Sequence, residues 1–322
     1  MAKPYLPSLP RRNEAKAGPI SHLPILIAGP TATGKSEIAL RLAEQLGGEI
    51  ISADSMQVYR GLDIGTAKPS PAERARLPHH LIDICDLTES FDAAQFARLA
   101  HRTVAEIQSR GHVPVLCGGS GLYFKAFLEG LGEAPPADAG LRAELEAAPL
   151  ENLLAELRER DLAAYEKIDK KNPRRVIRAV EVIRLTGKPF TEQRAAWNTP
   201  HASRFTPHFF CFTRSPDDLR KRIDARVDAM FKRGLVDETR ELLKRGLAEN
   251  KTAMQAIGYR QVVEHLHGER SLVETIELVK IRTRQFAKRQ LTWFRAQKNL
   301  EWIELNPDES LEAVAKEIRT VI

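Results

Sequence analysis

Apolar residues alternate between two rhythms as far as about residue 130. The unbroken apolar runs in "PILIAG" at 24–29 and "HVPVLCGGSG" at 112–121 predict buried parallel strands, each closing on glycine. Between them "KSEIALRLAEQLG" at 35–47 sets Ile38, Leu42 and Leu46 at helical spacing, with Gly47 as a stop signal. "GEIISADS" at 48–55 predicts a second strand closed by polar residues, and "HHLIDIC" at 79–85 a third. "DAAQFARLAHRTVAEIQSRG" at 92–111 predicts an amphipathic helix ended by Gly111, and "LYFKAFLEGL" at 122–131 another helix. Strands alternating with helices predict an α/β fold with a doubly wound parallel sheet.

The rhythm changes at the Pro/Ala-rich stretch "GEAPPADAG", 132–140. Residues 141–203 then read as mainly helical, most clearly in "NPRRVIRAVEVIRLTGKP" at 172–189. Pro173 suits its first turn there and Gly187 its end. An apolar strand returns in "HFFCFTRSP" at 208–216, followed by the helical "DDLRKRIDARVDAMFKRG". A strand returning after a helical interlude implies an all-helical insertion into one domain. The expected organisation is a loose tail at 1–22, the first part of the core at 23–136, an insertion domain at 137–204, and the rest of the core with basic C-terminal helices at 205–322. The segment after the returning strand reads as mostly helix. No internal repeat is visible.

Length and composition narrow the class. At 322 residues, with 43% hydrophobic and 29% charged positions, the chain has the balance of a globular protein. No apolar run approaches the ~20 residues of a membrane span, and the proline-broken leader lacks an apolar signal region. Cys85, Cys117 and Cys211 form no C-x-x-C pair and sit in apolar segments, which predicts buried reduced thiols and a cytoplasmic location. The "HLH" at 265–267 has no further ligand at zinc spacing. The net charge is +6, and its distribution is uneven: residues 1–140 hold 14 Lys and Arg against 15 Asp and Glu. The basic excess therefore lies wholly in the later part, which suits a polyanionic partner without requiring one.

One motif carries chemistry directly. "GPTATGKS" matches G-x-x-x-x-G-K-[ST], between a predicted strand and a predicted helix, and comprises Gly29, Pro30, Thr31, Ala32, Thr33, Gly34, Lys35 and Ser36. Such a loop turns backbone N–H groups toward phosphate oxygens at a helix N-terminus. Lys35 would neutralise the phosphate, and the Ser36 hydroxyl would ligate Mg²⁺. An ordinary glycine-rich turn is the bland alternative. The motif does not identify the phosphate compound: a small-molecule kinase using ATP, with the arginine-rich insertion as a lid, remains open at this point. So does a non-catalytic RNA-binding module, although that reading leaves the phosphate loop without a task.

Longer strings decide further. "ISADSMQVYRGLDIGTAKP" at 51–69 resembles a signature of the tRNA dimethylallyltransferases, also called tRNA isopentenyltransferases. "PHHLID", "GGSGLYFKAFLEGL", "NPRRVIRAVEV", "MFKRGLVDE", "AIGYRQ" and "TRQFAKRQLTWFR" follow in order, so the resemblance spans roughly residues 24 to 300. It implies that the loop grips the diphosphate of dimethylallyl diphosphate. The allyl group would pass to the exocyclic amine of the adenine just 3′ of the tRNA anticodon. It also implies that Asp54 contacts that amine as the base, that Ser120 acts at the reacting groups where relatives commonly carry threonine, and that Arg142 lies near the leaving diphosphate and the tRNA. Read alone, Asp54 could equally cap a strand end, Ser120 stabilise a turn, and Arg142 sit on a solvated helix.

An adenine amine is a weak nucleophile, so transfer needs a proton acceptor and stabilisation of the leaving group. The target base must also leave its stack. Asp54, Ser55, Met56 and Gln57 offer groups for an everted adenine, although Met56 could be core packing. Three further segments suit RNA. Arg174, Arg175, Val176, Ile177 and Arg178 form "RRVIR", with Arg174 and Arg178 four apart on one helical face, which could also be a plain charged surface. Gln255, Ala256, Ile257, Gly258, Tyr259 and Arg260 set an aromatic and an arginine beside glycine. Lys288, Arg289, Gln290, Leu291, Thr292, Trp293, Phe294 and Arg295 lie in a stretch, 279–300, with seven Lys and Arg and no acid. Core packing could explain its aromatics but not the missing acids; a phosphate-tracking surface explains that absence better. The expected partners are a tRNA anticodon stem-loop and dimethylallyl diphosphate, with Mg²⁺; no membrane and no obligate protein partner is called for.

Overall fold

A computed structural model describes residues 23–131, 135–195 and 208–322. The expected tail at 1–22 lies outside them, as do 132–134 of the Pro/Ala-rich stretch, 196–204 at the end of the expected insertion, and 205–207. The chain divides into two compact units, residues 1–124 with 205–322, and residues 125–204.

The first unit is built on β1 (Ile25–Ala28), β2 (Gly48–Ala53), β3 (His79–His80), β4 (Val113–Gly118), β5 (Phe209–Thr213) and β6 (Glu301–Glu304). They form one sheet in the order β3-β2-β4-β1-β5-β6, and every pairing is parallel. Between the early strands run α1 (Lys35–Leu46), α2 (Pro71–Arg76) and α3 (Ala93–Ser109); α4 (Gly121–Glu129) follows β4. One face of the sheet packs Ile27, Val115, Cys117, Phe210 and Phe212 against Ile38 and Leu42 of α1. Each such fully buried aliphatic side chain contributes roughly 1.5–3 kcal/mol. On the other face Phe124 packs against Phe209 and Phe294. The doubly wound α/β fold expected from the alternation is present.

One local expectation needs correction, and another gains a strand. The third strand pairs only at His79 and His80. Leu81 and Asp83 adopt positive φ (59° and 56°), which ends the extended run. The Asp83 carboxylate there takes the buried Lys68 ammonium and, at 2.8 Å, Arg74. The segment expected to be mostly helical also supplies β6, paired with β5 from Phe210↔Glu301 to Thr213↔Glu304. This strand lies at the sheet edge with two exposed acids, so it lacked the apolar run that marked the others.

The second unit has a core of its own. It contains α5 (Ala139–Ala147), α6 (Leu150–Arg160), α7 (Leu162–Lys167), α8 (Pro173–Thr186) and α9 (Phe190–Ala195). Leu145, Leu153, Leu157, Val176, Ile177, Val180 and Ile183 form its interior. Pro173 occupies the first turn of α8, and Gly187 caps its end with φ 71°. After β5 the first unit resumes with α10 (Pro216–Lys232), α11 (Leu235–Leu243), α12 (Tyr259–Leu266), α13 (Leu272–Arg295) and α14 (Leu311–Val321).

Candidate functional site

Three adjacent strands end in one row. Ala28 of β1 pairs with Gly118 of β4, and Gly118 pairs with Ala53 of β2. The residues that follow, Gly29, Gly119–Ser120 and Asp54, therefore leave the carboxyl edge side by side, where open parallel sheets bind ligands. Gly29 turns there with φ 144°, and a Cβ on it would stand 2.5 Å from the Phe212 carbonyl of β5. No other residue fits that approach.

The loop from Gly29 to Ser36 is braced from outside. Arg214 Nε donates to the Thr33 carbonyl (2.7 Å), Arg222 Nε to the Ala32 carbonyl (2.8 Å), and the Thr33 hydroxyl to the Pro30 carbonyl (3.0 Å). These bonds occupy carbonyls of the loop. At the head of α1 the Glu37 and Ile38 N–H groups donate to the Gly34 carbonyl (3.1 and 3.2 Å), while those of Lys35 and Ser36 come too early in the helix for an i−4 acceptor. Lys35 and Ser36 of that turn line a cavity of about 640 Å³, together with Asp54, Ser120, Arg222 and Arg226. The Lys35 ammonium donates to the Pro30 carbonyl at 3.2 Å. Burial lowers its pKa, and Arg226 adds to the same effect. Burial likewise lowers the Arg226 pKa, followed by the charge of Arg222. Neither Lys35 nor Arg226 has an ion-pair partner among the described residues, so this corner holds desolvated positive charge that an anion would relieve. The flanking thiols stay protonated: burial pushes Cys117 up to about 11 and Cys211 to about 12.

Across the cavity, one Asp54 oxygen accepts from the Met56 N–H (2.8 Å) and the Gln57 N–H (3.4 Å). The Ser55 N–H donates to the Ser120 hydroxyl oxygen at 3.2 Å, which ties the turn after β2 to the turn after β4. Met56 lines the cavity half-buried. Gln57 is already engaged at both ends of its amide. It accepts from the Ser52 hydroxyl (2.9 Å) and donates to the carbonyls of Thr66 (3.2 Å) and Ala67 (3.4 Å). Its side chain thus fixes the cavity wall.

Several residues expected to face RNA have interior side chains. Tyr259 is fully buried: its hydroxyl donates to the Glu238 carboxylate (2.5 Å) and accepts from the Gly65 N–H (3.0 Å). Phe294, Ala256, Val176 and Ile177 are also buried, because they fill the hydrophobic faces of their segments. Gln290 is buried against the phosphate loop. Gly258, with φ 102°, precedes α12 and leaves little space for contact. The exposed positions are Arg174 and Arg175 on α8, Gln255 and Arg260 around α12, and Lys288, Arg289, Thr292 and Arg295 on α13. Ile257, Leu291 and Trp293 are half-buried. In the helical unit the fully buried Glu181 carboxylate accepts from Arg142 (2.6 Å), Arg178 (2.7 Å) and the Asp138 N–H (3.1 Å). Arg142 and Arg178 are therefore aligned by one carboxylate.

The sequence reading missed Arg222 and Arg226. Their signal was available: two arginines four apart on the helix that follows the returning strand. Among the described residues no group of three or more His, Cys, Asp and Glu side chains could hold a metal.

The geometry defines a parallel α/β protein with an anion nest and a carboxylate facing one cavity at the carboxyl edge of its sheet. The profile of the IPP transferase family matches residues 57–297. A tRNA dimethylallyltransferase of Geobacter sulfurreducens is 47% identical over 291 residues, covering 87% of this chain and 91% of that protein. The crystal structure of the tRNA isopentenylpyrophosphate transferase of Bacillus halodurans is 40% identical, with a TM-score of 0.67 over 93% of this chain and 96% of that one. A eukaryotic dimethylallyltransferase, captured in crystals acting on tRNA, is 26% identical with a TM-score of 0.75, covering 92% and 77%. This chain belongs to the tRNA dimethylallyltransferase family, as the motifs implied.

Proposed function

We propose that this protein moves the dimethylallyl group of dimethylallyl diphosphate onto the exocyclic amine of the adenine 3′-adjacent to the anticodon in tRNA, releasing diphosphate. One observation carries the reading: the phosphate loop, Asp54 and Ser120 leave a single row of strand ends and line one cavity. Lys35, Arg222, Arg226 and the head of α1 would receive the diphosphate. The amine nitrogen forms the new bond to the allylic carbon. The bond from that carbon to the diphosphate oxygen breaks, and its electron pair leaves with the oxygen. Asp54 accepts the amine proton. Ser120 holds the Ser55 N–H through its oxygen, which leaves the hydroxyl hydrogen for the reacting groups. Arg142 keeps the role implied by the resemblance, at the diphosphate and the tRNA.

Mg²⁺ is part of the proposal. With no cluster of carboxylates and histidines among the described residues, the ion would be held by the Ser36 hydroxyl, diphosphate oxygens and water, in keeping with its hard-oxygen preference. When bound it would neutralise charge on the leaving group. The basic surface of α13 and the arginines of α8 are the proposed tRNA contacts. The cytoplasm is the proposed compartment: all three cysteines are buried free thiols, and no described helix is long and apolar enough to cross a membrane.

The test is incubation with unmodified tRNA and dimethylallyl diphosphate, followed by mass analysis of the nucleosides. A five-carbon gain on adenosine beside the anticodon is expected. Its absence, or phosphoryl transfer from ATP without tRNA, would overturn the reading in favour of a kinase. The relatives lend that alternative no support.

A further inference from the structure

Gln290 lies on the acid-free basic helix α13, yet its side chain faces inward and is 7% exposed. Its amide oxygen accepts from the Thr31 N–H at 2.9 Å, and its NH₂ donates to the Gly119 carbonyl at 2.9 Å. One side chain thus bridges the phosphate loop and the turn that carries Ser120. Glycine makes the bridge possible: a Cβ on Gly119 would stand 2.3 Å from the Gln290 nitrogen. One turn further along α13, Trp293 lies against Gly121 so closely that a Cβ there would meet its ring at 2.2 Å. An amide is costly to bury unless both its ends are satisfied, and here both are. The Thr31 N–H, within the loop, is thus taken up by α13.

We infer that Gln290 is a positioning residue for the transfer reaction: it fixes the diphosphate-binding loop relative to Ser120. The inference rests on the transferase reading and departs from the expectation that Gln290 touches RNA. A displacement of about 1 Å between a leaving-group site and the reacting groups can reduce turnover on the order of 100-fold. Gln290 therefore governs diphosphate binding and the chemical step, while tRNA affinity belongs to its exposed neighbours.

The test compares wild type with Gln290→Met, which keeps the length and removes both hydrogen bonds. Gln290→Glu keeps the acceptor for Thr31 but sets a carboxylate against the Gly119 carbonyl. Inorganic pyrophosphate affinity, kcat and KM for dimethylallyl diphosphate, tRNA Kd and Tm are measured for each. For Gln290→Met, pyrophosphate affinity and kcat/KM for the diphosphate substrate should each fall about 10–100-fold, with tRNA Kd within about twofold. For Gln290→Glu, kcat should fall while pyrophosphate affinity stays nearer wild type, because the loop end of the bridge survives. If Gln290→Met weakens tRNA binding and leaves pyrophosphate binding intact, the residue belongs to the RNA surface and the inference fails. It fails too if the two variants match in every readout. Should Gln290→Met not fold, the split between kcat and pyrophosphate affinity in Gln290→Glu decides alone. A wild-type protein that binds pyrophosphate but never modifies tRNA would instead sink the transferase reading.

Discussion

The two edges of the same sheet treat positive charge in opposite ways. At the amino edge, Glu49 of β2 is almost fully buried and meets Arg110 at 2.8 Å, His80 at 2.6 Å and His112 at 2.6 Å. Burial pushes the Glu49 pKa up, but hydrogen bonds from Arg110, His80 and His112 outweigh it, and the group falls from its ordinary 4.5 to about 2. At the carboxyl edge, Lys35 and Arg226 are desolvated with no carboxylate paired to either among the described residues. One edge closes its electrostatics within the fold and serves stability. The other leaves them open, which suits the diphosphate site proposed there.

The strongest challenge to that contrast is Asp54→Asn. Turnover should fall about 10²–10⁴-fold through loss of the proton acceptor, with pyrophosphate affinity close to wild type. An unchanged rate in single-turnover assays would remove Asp54 from the mechanism. Lys35→Ala should cost about 10²–10³-fold in transfer and weaken pyrophosphate binding, while tRNA Kd stays nearly constant. Because burial lowers the Lys35 pKa, pyrophosphate affinity in the wild type should decline with rising pH before the ordinary lysine value of 10.5 is reached. A pH-independent affinity up to that value would contradict this.

Glu49→Gln sharpens the comparison from the other edge. A carboxylate depressed from 4.5 to about 2 contributes stability above its unfolded pKa and loses it as pH falls through the folded one. The variant should be less stable by on the order of 3 kcal/mol at pH 7, with the gap to wild type closing between about pH 4.5 and 2. Denaturant melts at several pH values read this directly. Transfer kinetics at permissive temperature should not move; a lost kcat would erase the division between the edges. The smallest effect belongs to α13. Neutralising Lys288, Arg289 and Arg295 together should reduce the slope of log tRNA affinity against log salt by about 2–3. An identical slope would place the RNA elsewhere.

Most strands were legible because buried parallel strands read as unbroken apolar runs. β6 was not, since "EWIE" at the sheet edge has no such run and only its pairing with β5 reveals it. The phosphate loop was legible because its glycines answer local backbone demands. Arg222 and Arg226 were legible only as one face of a helix: they reach the nest once β5 has been laid beside β1, which their spacing alone does not announce. Tyr259, Phe294 and Gln290 shared a stretch with exposed cations, and sequence spacing alone did not separate the two sides of those helices. Burial does, and it turns Gln290 from an expected RNA contact into a brace for the cavity.

The braces of the phosphate loop come from far along the chain. Arg214, which holds the Thr33 carbonyl, is synthesised 181 residues after it, and Gln290 comes 259 residues after Thr31. A polypeptide emerging from the ribosome would display "GPTATGKS" early, but as a half-built socket. Only when the last third of the chain has emerged and docked does the socket acquire its shape, so a truncated or stalled product would carry the motif without its grip.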